Sequence, residues 1–215
     1  MTLPIAQDAP ELPLTFAELE FLLQDEPAWP RVRAALNGQA PQTPQVIEAG
    51  AASLLARNLA RIGPGGKVLV SDEVSVLSHS LVAAPCLISV CMMLPDALAV
   101  ALYCAEPANG IRVLVPIETP GIATFRRLPA DEPTVQQAMT LVDKAAAVSG
   151  AIVMVKALGQ AGVVFRRQGD AWQLADSAHD PHDLDRLFRA STQQACLNAA
   201  RDYLARNLAA LNQSA

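Results

Sequence analysis

The sequence predicts an α+β protein in which a helical amino-terminal part precedes an antiparallel sheet and a long carboxy-terminal helix. Three observations predict this class. Capping residues open apolar stripes of helical period in the first third of the chain. From residue 86, short apolar or alternating runs are separated by Pro-Asp, Asn-Gly and Pro-Gly pairs, and helical periodicity returns over 192–212. The links between the runs are too short for parallel crossovers, so the strands should form a meander.

The amino-terminal elements follow from their caps. Residues 1–14 hold three prolines and no periodicity, which indicates a flexible arm. Thr15 and Glu18 fit a capping box and begin the first helix, and a second helix runs over Trp29–Leu36. Thr43, followed by proline, begins a third helix whose apolar stripe continues to the glycines at 63–66. Together with a short strand at 67–70 and a helix capped at Ser71 or Asp72, these elements form a predicted helical subdomain over 15–84.

Residues 85–215 form the predicted α+β domain. Its strands lie at Cys86–Leu94, Ala97–Cys104, Ile111–Ile117, Ile122–Leu128, Ala151–Leu158, Val163–Arg167 and Ala171–Ala175. Helices are expected from about Thr134 to Ser149, from Pro181, and over 192–212. This order gives two strand–strand–strand–helix units, at about 97–149 and 150–190.

A short internal echo raises the question of a pseudo-twofold. Gly110-x-x-Val-x-Val leads to Phe-Arg-Arg at 125–127, and forty positions later Gly150-x-x-Val-x-Val leads to Phe-Arg-Arg at 165–167. The echo predicts two related strand-and-helix units. The alternative is that two amphipathic hairpins resemble each other by chance.

Composition narrows the classes of partner. The formal net charge is −5, and 16 basic residues are spread among 21 acidic ones, which argues against nucleic acid as a partner. No secretory signal opens the sequence, and the four cysteines lie mostly in apolar runs, which favours a cytoplasmic protein with reduced thiols. The apolar run 81–105 is long enough to span a bilayer, but Pro85 and Pro95 divide it, so no membrane span is predicted.

No catalytic, cofactor-binding or metal-binding residue can be nominated from the motifs. His179 and His182 lie beside carboxylates, but zinc needs three or four converging ligands, and Asp180-Pro181 is typical of a helix start. The segment Gly63–Lys67 lacks the Ser or Thr of a phosphate loop and leads from a helix into a strand. Cys86 and Cys91 are five apart, which places them on opposite sides of a strand.

Two arginine pairs are the remaining surface feature. Arg126 and Arg127 end one predicted strand, and Arg166 and Arg167 end another. Together they would form a small basic patch, which we take as a candidate interaction surface. Arginines on edge strands also serve simply to keep a sheet soluble.

The order of elements resembles that of the type VII (ESX) secretion-associated chaperones. The opening LTFAELEFLL is similar to that family's leucine-and-acid helix, and ALAVALYCAEPANGIRVLVPI with GIATFRRLPADEPTVQQAMTLV resembles its strand–strand–strand–helix units. The chain is shorter than the family, and long loops for client binding are not evident. Type III secretion chaperones share some of these features. Either resemblance implies a cytosolic carrier that holds a secreted client and performs no chemistry.

The leading hypothesis is therefore a non-enzymatic, homodimeric interaction protein, such as a secretion chaperone or adaptor, that binds a client protein through an exposed apolar strand or helix face. It requires no cofactor. A second hypothesis is a winged-helix transcription factor with a sensing α/β domain, in which Arg57 and Arg61 would contact DNA. A third is a small-molecule binder or enzyme whose site is assembled from scattered residues.

Overall fold

The structure is a computed structural model that describes residues 11–36, 43–84, 87–104, 111–116, 121–127, 133–178 and 187–212. Its helices are α1 (Phe16–Leu23), α2 (Trp29–Ala35), α3 (Pro44–Ala56), α4 (Asp72–Ala83), α5 (Thr134–Ala146) and α6 (Gln193–Asn212). Its strands are β1 (Glu11–Thr15), β2 (Ala60–Ile62), β3 (Val68–Val70), β4 (Leu87–Leu94), β5 (Ala97–Cys104), β6 (Ile111–Pro116), β7 (Ile122–Arg127), β8 (Ile152–Ala157), β9 (Gly162–Gln168), β10 (Ala171–Ala178) and β11 (Arg189–Ser191).

The described strands form one large sheet and one small hairpin. The large sheet has nine strands in the order β1-β7-β6-β5-β4-β8-β9-β10-β11, and every pair of neighbouring strands in it is antiparallel. β2 and β3 form a separate hairpin closed by a 3₁₀ turn over Pro64–Gly66. The predicted α+β class with an antiparallel meander is confirmed, and the Gly63–Lys67 segment is a turn. No helix in the described part is both long enough and apolar enough to cross a bilayer.

The sheet contains two units that meet at its centre. β4–β7 lead into α5, and β8–β11 lead into α6, with β4 and β8 paired antiparallel between them. Each unit therefore has four strands, where the sequence predicts three. The first unit includes β4, which the predicted unit at about 97–149 leaves out, and in the second unit β11 follows β10 before the final helix. The order of elements has the twofold pattern, but the sequence echo is out of step with it. Its second block, 150–167, covers β8–β9, which corresponds by topology to β4–β5, and is followed by β10 instead of a helix.

Two layers of helices cover the two faces of the large sheet. On one face, which we call the α5–α6 face, these helices pack on alternate residues of β4, β5, β8 and β9, such as Val90 and Phe165. On the opposite face, α1–α4 pack on β1, β4, β5 and β7 through residues such as Leu102 and Phe125. Successive residues of the central strands thus point alternately into the two cores. This explains why β4 is an almost continuous apolar run.

β1 corrects the prediction of a flexible arm over residues 1–14, of which 1–10 lie outside the described residues. Residues 11–15 pair with β7, and Leu12 and Leu14 pack into the core of the opposite face. The alternation of Leu12, Pro13 and Leu14 fits an edge strand, because a proline is tolerated where its missing N–H would point to solvent.

The outer edge of β1 is closed to further strand pairing. Phe16 donates its N–H to the carbonyl oxygen of Gly121. The backbone N–H and C=O groups of the even-numbered residues of β1 therefore point to β7, and those of the odd-numbered residues point outward. Pro13 has no N–H, and its carbonyl accepts a hydrogen bond from Arg57 Nη2 at 2.7 Å. The N–H of Thr15 donates to Glu18 Oε2 at 2.7 Å. These outward groups are satisfied within the chain, which protects the edge from pairing with another strand.

Glu18 is a buried carboxylate that ties α1 to α3. The predicted capping box is confirmed, since Thr15 Oγ1 accepts from the Glu18 N–H while the Glu18 carboxylate accepts from the Thr15 N–H. The carboxylate also accepts from Arg57 Nη1 at 2.8 and 2.9 Å and from Ser53 Oγ at 2.8 Å. Its side chain is fully buried and that of Arg57 is 35% exposed.

A second buried carboxylate on the same helix faces α2. Glu20 Oε2 accepts from Trp29 Nε1 at 3.0 Å, and Oε1 is paired with Arg33 Nε. Glu20 is fully buried, as is Trp29. Because Glu18 and Glu20 each have an arginine partner, α1 carries its charges into the protein without leaving them uncompensated.

The third helix is shorter than predicted. The apolar stripe predicts a helix as far as Gly63, but α3 ends at Ala56. Asn58 takes a positive φ of 59°, which breaks the helical path. Residues 60–62 then form β2. The predicted Thr43 cap is confirmed, with Thr43 Oγ1 accepting from the Val46 N–H.

The Tyr203 hydroxyl links α6 to the turn between β8 and β9. The hydroxyl donates to Ala161 O at 2.7 Å and accepts from the Ala157 N–H at 2.9 Å. Replacing Tyr203 with phenylalanine leaves both backbone groups without this partner. We expect the free energy of unfolding, measured in urea, to fall by about 1–3 kcal/mol. Arg201→Ala on the exposed side of α6 is the control and should change it by less than about 0.5 kcal/mol. Equal stability of the Tyr203 variant and the wild type would contradict this role.

Candidate interaction surface

The four arginines predicted to form one basic patch lie in two separate places. β7 and β9 are five strand positions apart, which is about 24 Å at the usual strand spacing. Five steps in an antiparallel sheet also reverse the strand direction. The register through β6, β5 and β4 sets Arg126 level with Ala157, whereas Arg166 is level with Ile152, about 16 Å along the strands.

Each pair is also divided between the two faces of the sheet. Arg126 and Arg167 point to the α5–α6 face, and Arg127 and Arg166 point to the opposite face, as alternation requires. Arg126 is buried, while Arg167 donates from Nη1 to Ala147 O at 3.2 Å at the end of α5. The structure therefore does not bring the four arginines together, and of the four, Arg166 belongs to the surface described next.

A row of side chains crosses five strands on the opposite face, beyond the part that α1–α4 cover. Cross-strand register places these residues side by side, from β5 through β4, β8 and β9 to β10. We call this the outer row, and it consists of Leu98, Met93, Ile152, Arg166 and Gln173. Met93 is 40% exposed, and the other four are partly exposed. The outer row is about 19 Å long, with three apolar side chains followed by a guanidinium and an amide.

A second row lies two residues further along the same strands and forms a buried floor. We call it the floor row, and it consists of Val100, Cys91, Met154, Val164 and Ala175. Four of the five are at most 7% exposed, and Cys91 is half-buried. Burial raises the pKa of the Cys91 thiol, and the nearby Lys156 ammonium offsets part of this rise. The thiol is therefore protonated at neutral pH and behaves as an apolar group.

Phe188 and Arg166 complete the surface at its polar end. Phe188 packs against the small cluster of Met154 and Val164, and the Arg166 guanidinium lies 4.2 Å from the Phe188 ring centroid. Arg166 Nε also donates to Gln173 Oε1 at 2.6 Å. The aromatic ring and the amide hold the guanidinium in place at the end of the apolar side chains, which gives the outer row a fixed charge at one end.

Apart from Met93 and Leu187, which directly precedes Phe188, the exposed large apolar residues of the described part are dispersed. Ile62 and Leu69 are on the β2–β3 hairpin, but Ile62 pairs with Val68 and Leu69 pairs with Arg61, so they point to opposite sides. Val76 is on α4 and is 48% exposed. Single exposed apolar residues are normal on protein surfaces, whereas the outer row aligns the exposed Met93 with two partly exposed apolar side chains.

The two arginines that the winged-helix hypothesis requires are not placed as they would be on a DNA-reading helix. Arg57 is engaged with Glu18 and Pro13, and Arg61 is exposed on β2. The exposed side of α3 carries Gln45, Glu48 and three alanines (Ala49, Ala52 and Ala56), without a lysine or arginine. A recognition helix needs basic or amide side chains toward the groove. The geometry therefore gives this hypothesis no support.

The remaining candidates are the histidines and Cys86, which the sequence offers as metal ligands. His179, His182 and Cys86 lie outside the described residues. Within the described ranges, no group of three or more His, Cys, Asp or Glu side chains is placed to hold a metal ion. His79 is on α4, with Nδ1 3.4 Å from Glu26 Oε1; the His79 side chain is mostly exposed and that of Glu26 is partly exposed.

A shallow groove of about 480 Å³ runs between α6 and β9. Val163, Ala199, Asp202, Ala205 and Arg206 line it. Arg206 Nε donates to the backbone oxygen of Asp202 at 3.2 Å, so the arginine lies along its own helix. The groove is open and has few polar groups that converge, unlike the enclosed pockets that bind small molecules.

A scan of protein-family models and a search of curated proteins find no match to this chain.

Proposed function

We propose that this chain is a non-enzymatic protein-interaction module that binds a client protein on the outer row. The observation that carries the proposal is the alignment of Leu98, Met93 and Ile152 as an apolar strip on interior strands, at a part of the sheet that α1–α4 do not cover. Burial of this strip by a partner would remove apolar surface from water, and that gain is the main source of binding free energy at such sites.

The use of the polar side chains supports a binding role. The fully buried carboxylates, Glu18 and Glu20, are occupied by intramolecular partners that join helices. Arg167 is bound to backbone carbonyls, and Tyr203 to backbone groups. In this reading the polar groups serve the fold, and the surface offered to other molecules is apolar.

The finer parts of the proposal rest on the sequence. The resemblance to secretion-associated chaperones suggests a carrier or adaptor that holds its client before secretion. The apolar setting of the cysteines suggests a cytoplasmic location with reduced thiols. Association of the chain into a homodimer, through a surface other than the outer row, belongs to the same proposal.

Site-specific photo-crosslinking tests the function. A photoreactive amino acid replaces Met93, and the variant is expressed in its native host. We expect irradiation to join the chain to one or a few defined proteins. The matched control carries the same amino acid at the exposed Gln45 of α3 and should give none of these products.

Two results would contradict the proposal. One is a crosslink pattern at position 93 that equals the pattern at position 45. The other is a product at position 93 that contains only a second copy of the chain, since a self-association surface would then occupy the outer row.

A further inference from the structure

We infer that β3 pairs antiparallel with β3 of a second copy of the chain, so that the two β2–β3 hairpins form one four-stranded sheet. This inference rests on the homodimer in the proposed function and names its surface, which is separate from the outer row. It follows from three features of β3: the unpaired backbone groups at its outer edge, the match of its sequence to itself across a twofold axis, and the charges at its two ends.

The hydrogen bonds of the hairpin show which backbone groups of β3 point outward. Gly63 donates its N–H to the carbonyl oxygen of Lys67, the residue opposite it. Hydrogen-bonded pairs recur at every second residue of an antiparallel pair, so Leu69 is bonded to β2. Its neighbours Val68 and Val70 therefore direct their N–H and C=O groups away from β2. Within the part of the chain that the structure describes, these outward groups have no hydrogen-bond partner.

β3 lacks the features that close the outer edge of β1. In β1, Pro13 removes one outward N–H, and the side chains of Glu18 and Arg57 bind other outward groups. β3, in contrast, contains neither a proline nor a charged side chain. Its two valines and one leucine are residues that fit a paired strand. An edge of this kind is a template for a further strand.

A twofold axis beside Leu69 satisfies all the outward groups of β3 at once. Val68 of each copy then lies opposite Val70 of the other, and each of these pairs exchanges two backbone hydrogen bonds. The two Leu69 side chains meet at the axis in a non-hydrogen-bonded pair, in which side chains approach most closely. Leu69 is 38% exposed in the single chain, so the pairing also buries apolar surface.

The charges at the two ends of β3 favour this arrangement. Lys67 precedes the strand, and Asp72 and Glu73 follow it in the first turn of α4. All three are exposed, and none of them has an ion-pair partner among the described residues. In the antiparallel pair, Lys67 of each copy lies opposite Ser71 of the other, next to the two acidic residues. A strand that is positive at one end and negative at the other is therefore complementary to itself.

The outer edge of β2 is less suited to the same pairing. Its outward backbone groups belong to Ala60 and Ile62, so a twofold axis there would place Arg61 opposite Arg61 of the second copy. Like charges directly opposite each other destabilise a strand pair. In the four-stranded sheet, β2 forms both outer edges, where the arginine discourages a further strand. Pairing through β3 therefore gives a closed dimer and not an open fibre.

Analytical ultracentrifugation of the full chain tests the dimer and its edge. The wild type should show a concentration-dependent dimer. Val68→Pro removes an outward N–H of β3 and should raise the dissociation constant by at least about tenfold. Ile62→Pro is the matched control, because Ile62 lies opposite Val68 and its N–H points outward from β2. It should leave the dissociation constant unchanged.

Two results would overturn the inference at this step. One is a wild-type chain that stays monomeric at about 0.1 mM, and the other is an equal dissociation constant for two folded proline variants. Circular dichroism and thermal unfolding show whether each variant folds.

Disulfide trapping tests the register without a proline. In Leu69→Cys the two thiols would meet at the twofold axis, at the close spacing that a disulfide requires. With oxidised glutathione as the oxidant, we expect a covalent dimer linked through position 69, identified by non-reducing electrophoresis and mass spectrometry. Arg61→Cys, on the same side of the hairpin but on β2, is the control and should give little dimer. Equal yields at the two positions would overturn the pairing through β3.

A charge exchange tests the direction of the pairing. Lys67→Glu should raise the dissociation constant by about tenfold, because two attractive contacts become repulsive. Adding Asp72→Lys to this variant should return the constant to within about threefold of the wild type. Arg201→Glu, at an exposed position of α6, makes the same change in net charge and should have no effect. A double variant that dimerises no better than Lys67→Glu would overturn the antiparallel assignment.

The dimer and the client-binding function fail in separate experiments. A photoreactive amino acid at position 69, in the native host, should join two copies of the chain, and a product that contains only another protein would overturn the inference. If position 93 captures a client while the chain stays monomeric, the client-binding function stands and the β3 dimer is wrong. If the β3 dimer forms and position 93 gives no specific product, the dimer stands and the client-binding function is contradicted.

Discussion

Replacing Glu18 with alanine is expected to lower the free energy of unfolding by about 3 kcal/mol. The substitution removes a fully buried carboxylate and leaves Arg57 Nη1, Ser53 Oγ and the Thr15 N–H without their acceptor. Removing one partner of a buried ion pair costs about 3–5 kcal/mol, and the partial exposure of Arg57 places this case at the lower end. Urea denaturation followed by circular dichroism measures the change.

A double-mutant cycle with Arg57→Ala isolates the interaction between the two side chains. We expect the double variant to lose less stability than the sum of the two single variants, because each single variant already removes the shared contact. Glu48→Ala, at an exposed position of α3, is the control and should change stability by less than about 0.5 kcal/mol. If the single losses simply add, Glu18 and Arg57 are not coupled and the role given to the pair is wrong.

Gly50→Ala is expected to destabilise the protein by about 3 kcal/mol, although alanine is the better helix former by about 1 kcal/mol. Gly50 lies in α3 where that helix crosses α1. A Cβ atom there would be 2.0 Å from the Ala17 carbonyl oxygen and 2.5 Å from its carbon. Both are backbone atoms, so the methyl group can be accommodated only if the two helices separate.

Gly50→Ala tests the close contact between α1 and α3, because helix propensity and the backbone clash predict opposite changes in stability. Ala49→Gly at the adjacent exposed position is the control, and it should cost only the propensity difference of about 1 kcal/mol. Thermal unfolding of both variants, compared with the wild type, gives the measurement. A Gly50→Ala variant that is as stable as the wild type would show that α1 and α3 are not in close contact there.

Local sequence signals predict most of the helices and strands. Thr15 with Glu18, and Thr43 with Pro44, identify the starts of α1 and α3 because a cap is a contact within four residues. The strands β4–β7 follow from short apolar runs and turn residues. These features depend on neighbours in sequence, and that is why they are visible without a structure.

Long-range partners account for what the sequence does not predict. Glu18 is recognisable as a capping residue, but its partner Arg57 is 39 positions away and nothing in the pattern links the two. The proline in β1 argues against a strand when the sequence is considered alone. The segment forms a strand because it pairs with β7. The two arginine pairs look equivalent in sequence, and only the strand order separates them.

The outer row is the clearest example of this limit. Its five residues come from five strands, so their alignment depends on the register of four pairings, each of which a one-residue shift would reverse. The apolar run of β4 contributes to both faces of the sheet and does not itself reveal which of its residues is exposed. The expectation of an exposed apolar face could be made from composition, whereas its residues required the fold.

The pairing of β1 with β7 has a consequence for how the chain is made. The two strands are about a hundred residues apart in sequence, so the first strand must wait for its neighbour. During synthesis, β1 emerges long before residue 127, and the cost of closing so large a loop delays its pairing with β7. On the ribosome, the side of α1–α4 that packs on the sheet therefore stays uncovered until the strands on which it packs have emerged.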